Sequence, residues 1–419
     1  MRWLVLACVA GCAEPTLSDV EQFSVSAQVK QERAALIRDT AAEMGLYNAA
    51  LLGGVAESET GFAHCWSEAQ FACMGPASSS CNGGPVIAGA ADGPCTDMQG
   101  GLGMFQFDAG TYAQTIATYT DSILTVEGNT AQAVSFFVDK AELDIPGVTD
   151  WMSAVAWFNS IPFVVGDPLT EQWAQLMACR YNGCCSTSTT CTTRRNGYRD
   201  NAILLHDQLG ADFWRTEDRC AGLPVDGIID QRTECYVAGG EPRFWRRVSG
   251  GVGDNHEWTG TTTSQQPSNF ARWLLRPERA TTYHIEANIQ GGEATSASYE
   301  VFHGGQTSVV SIDQSTADGY VVLGDFDLTG DGTEYVMLGD NTGVSGQMLA
   351  FDALRVTALD GMGPGGDDAG TGDDGGGGGG GCTTSGGGAF GLVLVVLAVI
   401  PRRRRQVTVE KLSLIAYRS

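Results

Sequence analysis

Residues 53–60 read Gly53-Gly54-Val55-Ala56-Glu57-Ser58-Glu59-Thr60, and further on the chain reads Gly101-Leu102-Gly103-Met104-Phe105-Gln106. The first stretch closes an apolar helical run with a carboxylate. The second is a turn flanked by glycines that delivers a glutamine. A carboxyl group at an apolar helix end has its pKa raised by desolvation, which suits it to protonate a buried glycosidic oxygen. The pair predicts cleavage of a polysaccharide, with Glu57 as general acid and then general base, and with Val55, Ala56 and Phe105 as apolar walls.

Outward from this pair the pattern stays helical. Ala34, Leu36, Ile37, Ala41 and Met44 recur at helical spacing, Gly45 stands where a C′ residue would, and Asn48 is a plausible N-cap for a second helix running through Glu57. Ala131–Val138, Trp151–Phe158 and Asn201–Leu209 read as further core helices, giving an α-rich domain over residues 31–215. After a Cys-containing linker at 216–242 the texture changes. Residues 243–358 carry short β-type runs at Thr282–Ala287, Ala297–Phe302, Ser308–Ile312, Tyr320–Leu323, Tyr335–Leu338 and Phe351–Val356, separated by Gly, Asp and Asn turns. That is the signature of an antiparallel sandwich. The fold class expected is therefore multidomain α+β.

At 419 residues the chain exceeds one ordinary core. Its formal net charge of −24 argues against nucleic acid as a partner, because phosphates would repel this surface. Of its 13 cysteines, Cys8 and Cys12 lie in the leader and Cys382 in the tail. The other ten form an even set and predict up to five disulfides in an oxidising compartment. Cys184 and Cys185 are adjacent, so each is expected to bond elsewhere; the pairing itself is open. No cysteine pair has zinc spacing, and no metal or cofactor is called for. Asp325-Phe-Asp-Leu-Thr-Gly-Asp-Gly332 has EF-hand letters, but the twelfth position is Val336, so a hairpin turn accounts for it.

The ends predict export and anchoring. Met1-Arg2 and the apolar Trp3–Ala10 form a leader. Residues 359–381 are a Gly/Asp-rich linker. Gly381-Cys382, the apolar run Ala389–Ile400 and Arg402–Arg405 follow, in the order of a C-terminal membrane tag with its arginines on the cytoplasmic side.

Four resemblances sharpen these expectations. Ile37-Arg-Asp-Thr-Ala-Ala-Glu-Met-Gly-Leu-Tyr47 with Leu51 through Glu57-Ser58 resembles the opening of the lytic transglycosylase (SLT) family, in which the Glu of a Glu-Ser pair is catalytic. Gly101–Gln106, Ala154-Val-Ala-Trp-Phe-Asn159 and Arg195-Asn-Gly-Tyr198-Arg-Asp-Asn-Ala-Ile203 are similar to its later motifs, in family order. The resemblance implies a lysozyme-like domain that cleaves the MurNAc-GlcNAc β-1,4 bond of peptidoglycan and leaves an anhydro-muramic end. It implies Glu57 as the acid/base, Ser58, Gln106 and Asn159 around the sugar, and Tyr198 bonded to the Glu57 carboxyl. Glu59 reads as a surface residue, and His64 and His206 as surface or core residues. The chain departs from the family in the Cys-bearing insertion 62–100 and in Ser160-Ile161-Pro162. A hydrolytic muramidase would need a second carboxylate, for which Asp92, Asp97 and Asp108 are candidates. A non-catalytic polysaccharide-binding protein or adhesin is the alternative from another class.

Ala271-Arg-Trp273, Tyr299–Gly305, Tyr320–Leu328 and Phe351–Val356 resemble the golvesin/xanthan-lyase-type carbohydrate-binding-like domain, implying a polysaccharide partner; Trp245, Trp258 and Trp273 are candidates to stack on sugars. Val9-Ala-Gly-Cys12 resembles a lipobox, implying cleavage at residues 1–12 and lipidation of Cys12. Residues 382–405 resemble the MYXO-CTERM tag of myxobacterial surface proteins. The expected product is exported and held at the outer membrane or cell surface.

Overall fold

The computed structural model describes residues 25–359, except 70, 91–93, 97, 98, 215, 217 and 218. The leader with Cys12, Asp92, Asp97, nearly all of the 359–381 linker and the 382–405 tag lie outside the described residues. Within them, no helix is long and apolar enough to cross a membrane.

Helices dominate the first part: α1 (Ala27–Glu43), α2 (Ala50–Thr60), α3 (Tyr112–Tyr119), α4 (Val126–Asp144), α5 (Trp151–Asn159), α6 (Pro168–Arg180), α7 (Thr189–Leu209) and the short α8 (Ala211–Trp214). Side-chain caps set most of their starts, satisfying N–H groups that a first turn leaves open. Ser26, Thr111, Thr125, Asp150, Asp167 and Ser188 each accept a backbone N–H of the turn they begin, with Pro168 at the first position of α6. Asn48 does not cap α2. Its amide donates instead to Phe158 O and Ile161 O, tying the α1–α2 corner to the end of α5. Helix α2 also runs on past Glu57 to Thr60, where Gly61 adopts the left-handed conformation.

At the crossing of α2 and α7 the backbones nearly touch. A Cβ on Gly54 would lie 2.6 Å from the Ala202 Cβ, so only glycine fits there. Around this crossing Ile37, Leu51, Val55, Phe137, Phe158, Trp173 and Tyr198 build one apolar core. The insertion 62–100 holds the hairpin of β1 (Cys73–Ala77) and β2 (Pro85–Ala88), and Cys65–Cys81 and Cys73–Cys95 staple it.

The remaining strands are β3 (Ile228–Ile229), β4 (Tyr236–Gly240), β5 (Arg246–Ser249), β6 (Asn255–Gly260), β7 (Asn269–Leu274), β8 (Thr281–Ile289), β9 (Ala297–His303), β10 (Gln306–Ile312), β11 (Gly319–Leu328), β12 (Tyr335–Gly339), β13 (Met348–Phe351) and β14 (Leu354–Ala358). They form antiparallel sheets ordered β10-β9-β12-β7-β4, β11-β8-β14-β3 and β13-β6-β5. Burial alternates cleanly along β8 and β9, as a half-buried strand requires. Ala271, Trp273, Tyr299, Val301, Val336, Leu338, Phe351 and Val356 fill the second core.

The sandwich begins earlier than composition indicated. Strands β3 and β4 lie inside the expected 216–242 linker, and the Cys220–Cys235 disulfide belongs to the sandwich core. Two-residue β3 and the Gly-rich Tyr236-Val-Ala-Gly-Gly240 are too short or too plain to stand out from a loop. The expected strand Phe351–Val356 is two strands, broken at Asp352-Ala353 so that β13 and β14 join different sheets. The three-stranded sheet and β7 had no strand-like pattern of their own.

The two cores share one compact unit. Strand β7 turns Ala271 and Trp273 into the sandwich and Phe270 out toward the helices. There the Trp151 and Phe270 rings meet edge to face at 6.2 Å. Trp151 Nε1 donates to Met44 O, and Ser135 Oγ to Glu241.

Candidate functional site

Glu57 and Glu59 stand two residues apart near the end of α2, which places them on different faces of the helix. Glu57 faces α1. Both its oxygens lie 2.8 Å from Lys30 Nζ, in a pair whose side chains keep 22 % and 31 % of their surface exposed. Glu59 faces α7. Its side chain is only 12 % exposed, it accepts a hydrogen bond from the Tyr198 hydroxyl, and Arg194 Nη1 lies 3.9 Å away. Burial raises the Glu59 carboxyl above the ordinary 4.5, against the opposing pull of Tyr198 and Arg194. Glu59 is therefore not a surface residue, and Tyr198 bonds Glu59 rather than Glu57. Tyr198 itself is fully buried, and burial beside Glu59 raises its phenol well above the usual range.

The Gly101–Gln106 turn is delivered to the same end of α2. Thr60 Oγ1 donates to Met104 O, and the hydroxyl of half-buried Tyr181 donates to Phe105 O. Phe105 and Val55 are both fully buried there, Val55 one turn before Glu59. Three further side chains fix the turn. Asn129, fully buried on α4, accepts Phe105 N and donates to Leu102 O and Ile123 O. His64 accepts Met104 N at Nδ1 and faces Leu124 O through Nε2 at 2.8 Å, and burial pulls its pKa down to about 4, so it sits neutral in the core. Gln106 accepts Ala90 N and donates to Gly103 O. Gly103 has φ +72°, and a Cβ there would lie 2.7 Å from the Asn129 amide, so the turn requires glycine.

Two expected sugar ligands thus have their amides engaged inside the protein: Gln106 as above, and Asn159, which accepts Tyr47 N and Asn48 N and donates to Gly45 O. Ser58 donates to Gly54 O and accepts from the Asn201 amide, pinning α2 to α7. His206 stacks on Phe163. Asp108 caps its own turn by accepting Gly110 N. The structure brings together Glu59, Tyr198, Tyr181, Arg194 and the Phe105 turn, and it leaves Glu57 on another face. Sequence reasoning missed Glu59, Tyr181, Arg194 and Asn129. No local signal separated the two carboxylates: Glu59 lies four residues after buried Val55, and Glu57 likewise four after buried Gly53.

In the sandwich, Asp325 and Asp327 are spent across the sheet on His284 and Thr282. The turn after them is closed by Glu334, which accepts Thr329 N, Gly330 N and Gly304 N. No group of three or more metal-ligating side chains occurs among the described residues. Trp273 is core, Trp245 packs on Phe351, and Trp258 is half-buried. Five disulfides form among the described residues, the last two in the helical part being Cys179–Cys185 and Cys184–Cys191; the adjacent cysteines each bond elsewhere.

Residues 228–358 match the family model of the Golvesin C-terminal domain, which is 131 of the 419 residues. Among solved structures, xanthan lyase of Paenibacillus is similar at 16 % identity over 32 % of this chain and 13 % of that one, with a TM-score of 0.28. This chain thus corresponds to a small part of that protein's length. No curated protein matches the chain.

Proposed function

We propose that the chain is an exported peptidoglycan lytic transglycosylase that cleaves the MurNAc-GlcNAc β-1,4 bond, with Glu59 in place of Glu57 as its general acid/base. The observation that carries this is the Glu59 carboxyl itself. It is nearly buried, its pKa is raised by desolvation, and a buried tyrosine orients it. A carboxyl so placed keeps its proton closer to neutral pH, as a general acid needs. Tyr198 donates to one oxygen, and the other is left to deliver the proton to the leaving sugar oxygen. The C6 hydroxyl of the muramic sugar then attacks C1 while Glu59 takes back its proton, closing the anhydro ring without water. Arg194 is near enough to steady the carboxylate between the two steps. Glu57 is less suited, since Lys30 occupies both its oxygens. The golvesin-type domain supports a polysaccharide partner, and we read it as the part that holds the polymer. Export and anchoring rest on the leader and tail sequences.

The test is mass spectrometry of products released from purified sacculi by the oxidised protein, beside Glu59→Gln and Glu57→Gln. Anhydro-muramic ends from the wild type and from Glu57→Gln, with release lowered about 100-fold or more in Glu59→Gln, are the expected result. Loss in Glu57→Gln alone would return the role to Glu57. Reducing ends would make the enzyme a hydrolase.

A further inference from the structure

The outer face of the five-stranded sheet lies against α5, and between them is a cavity of about 150 Å3. Met152, Val155 and Ala156 of α5 and Val237 and Leu274 of the sheet make its walls apolar, and Arg272 is its one charged lining residue. Asn159 also reaches it, but its amide is fully engaged with the backbone at Gly45, Tyr47 and Asn48. Arg272 lies over the Tyr335 ring, its guanidinium carbon 3.9 Å from the centroid. Its Nε is buried and has no hydrogen-bond partner among the described residues. Asp150 and Glu300 pull on this cation more weakly than the loss of hydration opposes it. A guanidinium desolvated with an N–H unmet is costly, and the group that matches its planar fork is a carboxylate.

We propose that this cavity binds a small carboxylic acid, its carboxylate on the in-plane edge of Arg272 and a short apolar body among Met152, Val155 and Leu274. The Tyr335 ring covers one side of the guanidinium, and the unmet Nε–H is left for the ligand. The walls admit a short aliphatic body, with Tyr47 also on the lining. The ligand touches both cores at once, so its binding stabilises both. The same chemistry is offered by a free short-chain acid and by the terminal carboxylate of a peptide.

Thermal unfolding of the full, oxidised protein tests this with three probes: butyrate, N-acetyl-D-alanine and butyramide. The acids are expected to raise Tm by roughly 2 °C or more, the size a ligand at about ten times its Kd produces, and the amide to leave it unchanged. Response to N-acetyl-D-alanine alone would identify the peptide terminus as the source, and response to butyrate alone the free acid. Arg272→Gln removes the cation, and Val237→Phe fills the cavity while keeping it; both are expected to abolish the shift. Equal shifts from acid and amide, a shift that survives in both variants, or no shift from either acid would overturn the proposal.

Discussion

In the helical half the segments around Glu59 are fixed by polar side chains that reach backbone groups: Asn129, His64 and Gln106 on the turn, Asn159 on the α1–α2 corner. In the sandwich the strands are fixed by their own ladders and by alternating apolar residues, and polar side chains tie the connections around them: Glu334 accepts Thr329 N, Gly330 N and Gly304 N, Asp340 accepts Ser268 N and Asn269 N, and Gln314 donates to Ala350 O and accepts Ala350 N. The difference bears on how candidate sites are chosen. Where loops carry the site, buried amides and imidazoles look like ligands in sequence and turn out to be scaffolding. Where strands carry the fold, a polar residue on the outward register is free to do something else.

That contrast can be broken first at Asn129. Asn129→Ala leaves Phe105 N and Ile123 O without a partner in a buried place and removes one of the two donors to Leu102 O, and is expected to cost about 3 kcal/mol or more in chemical denaturation. A cost below about 1 kcal/mol would mean that the turn is held by its apolar neighbours. The seam between the halves comes next. Phe270→Ala removes the ring that meets Trp151 and is expected to cost about 3 kcal/mol and to split one calorimetric transition into two. A single unsplit transition would show that the remaining seam suffices.

The smallest effect is a matter of pH. Because burial raises Glu59 in the folded state, the native protein holds its proton where the unfolded chain has released it. Stability is then greatest below the ordinary value of 4.5 and falls as pH rises through that value toward the raised one. Glu59→Gln removes the ionisation, so the Tm difference, mutant minus wild type, should be flat in acid and grow by roughly 2–4 °C toward neutral pH. A difference independent of pH would place Glu59 in a more hydrated setting than described.

Much of the architecture was legible in the chain. Helical periodicity marked α1, α4 and α5, alternation marked β8 to β12, and the even cysteine set marked the disulfides. What escaped was set by long-range contact. Strands β3 and β4 have little side-chain signal and exist because β14 and β7 pair with them. The choice between Glu57 and Glu59 depended on which neighbour each face of α2 meets. Nothing near residue 57 announces Lys30, and nothing near 59 announces Tyr198, far along the chain. The motif letters Glu-Ser pointed to the first carboxylate, and packing pointed to the second.

The outer face of the five-stranded sheet, with Phe270 on Trp151, has a further consequence. A sandwich that hung from a linker would move independently of the helices; this one is packed against them within one compact unit, through Phe270 and Trp151. The outward face of the four-stranded sheet, where Glu286 meets Arg355 and His284 meets Asp325, is not part of this seam. If the sandwich holds a polymer and Glu59 cuts it, this seam sets the distance between grip and cut, as a ruler does.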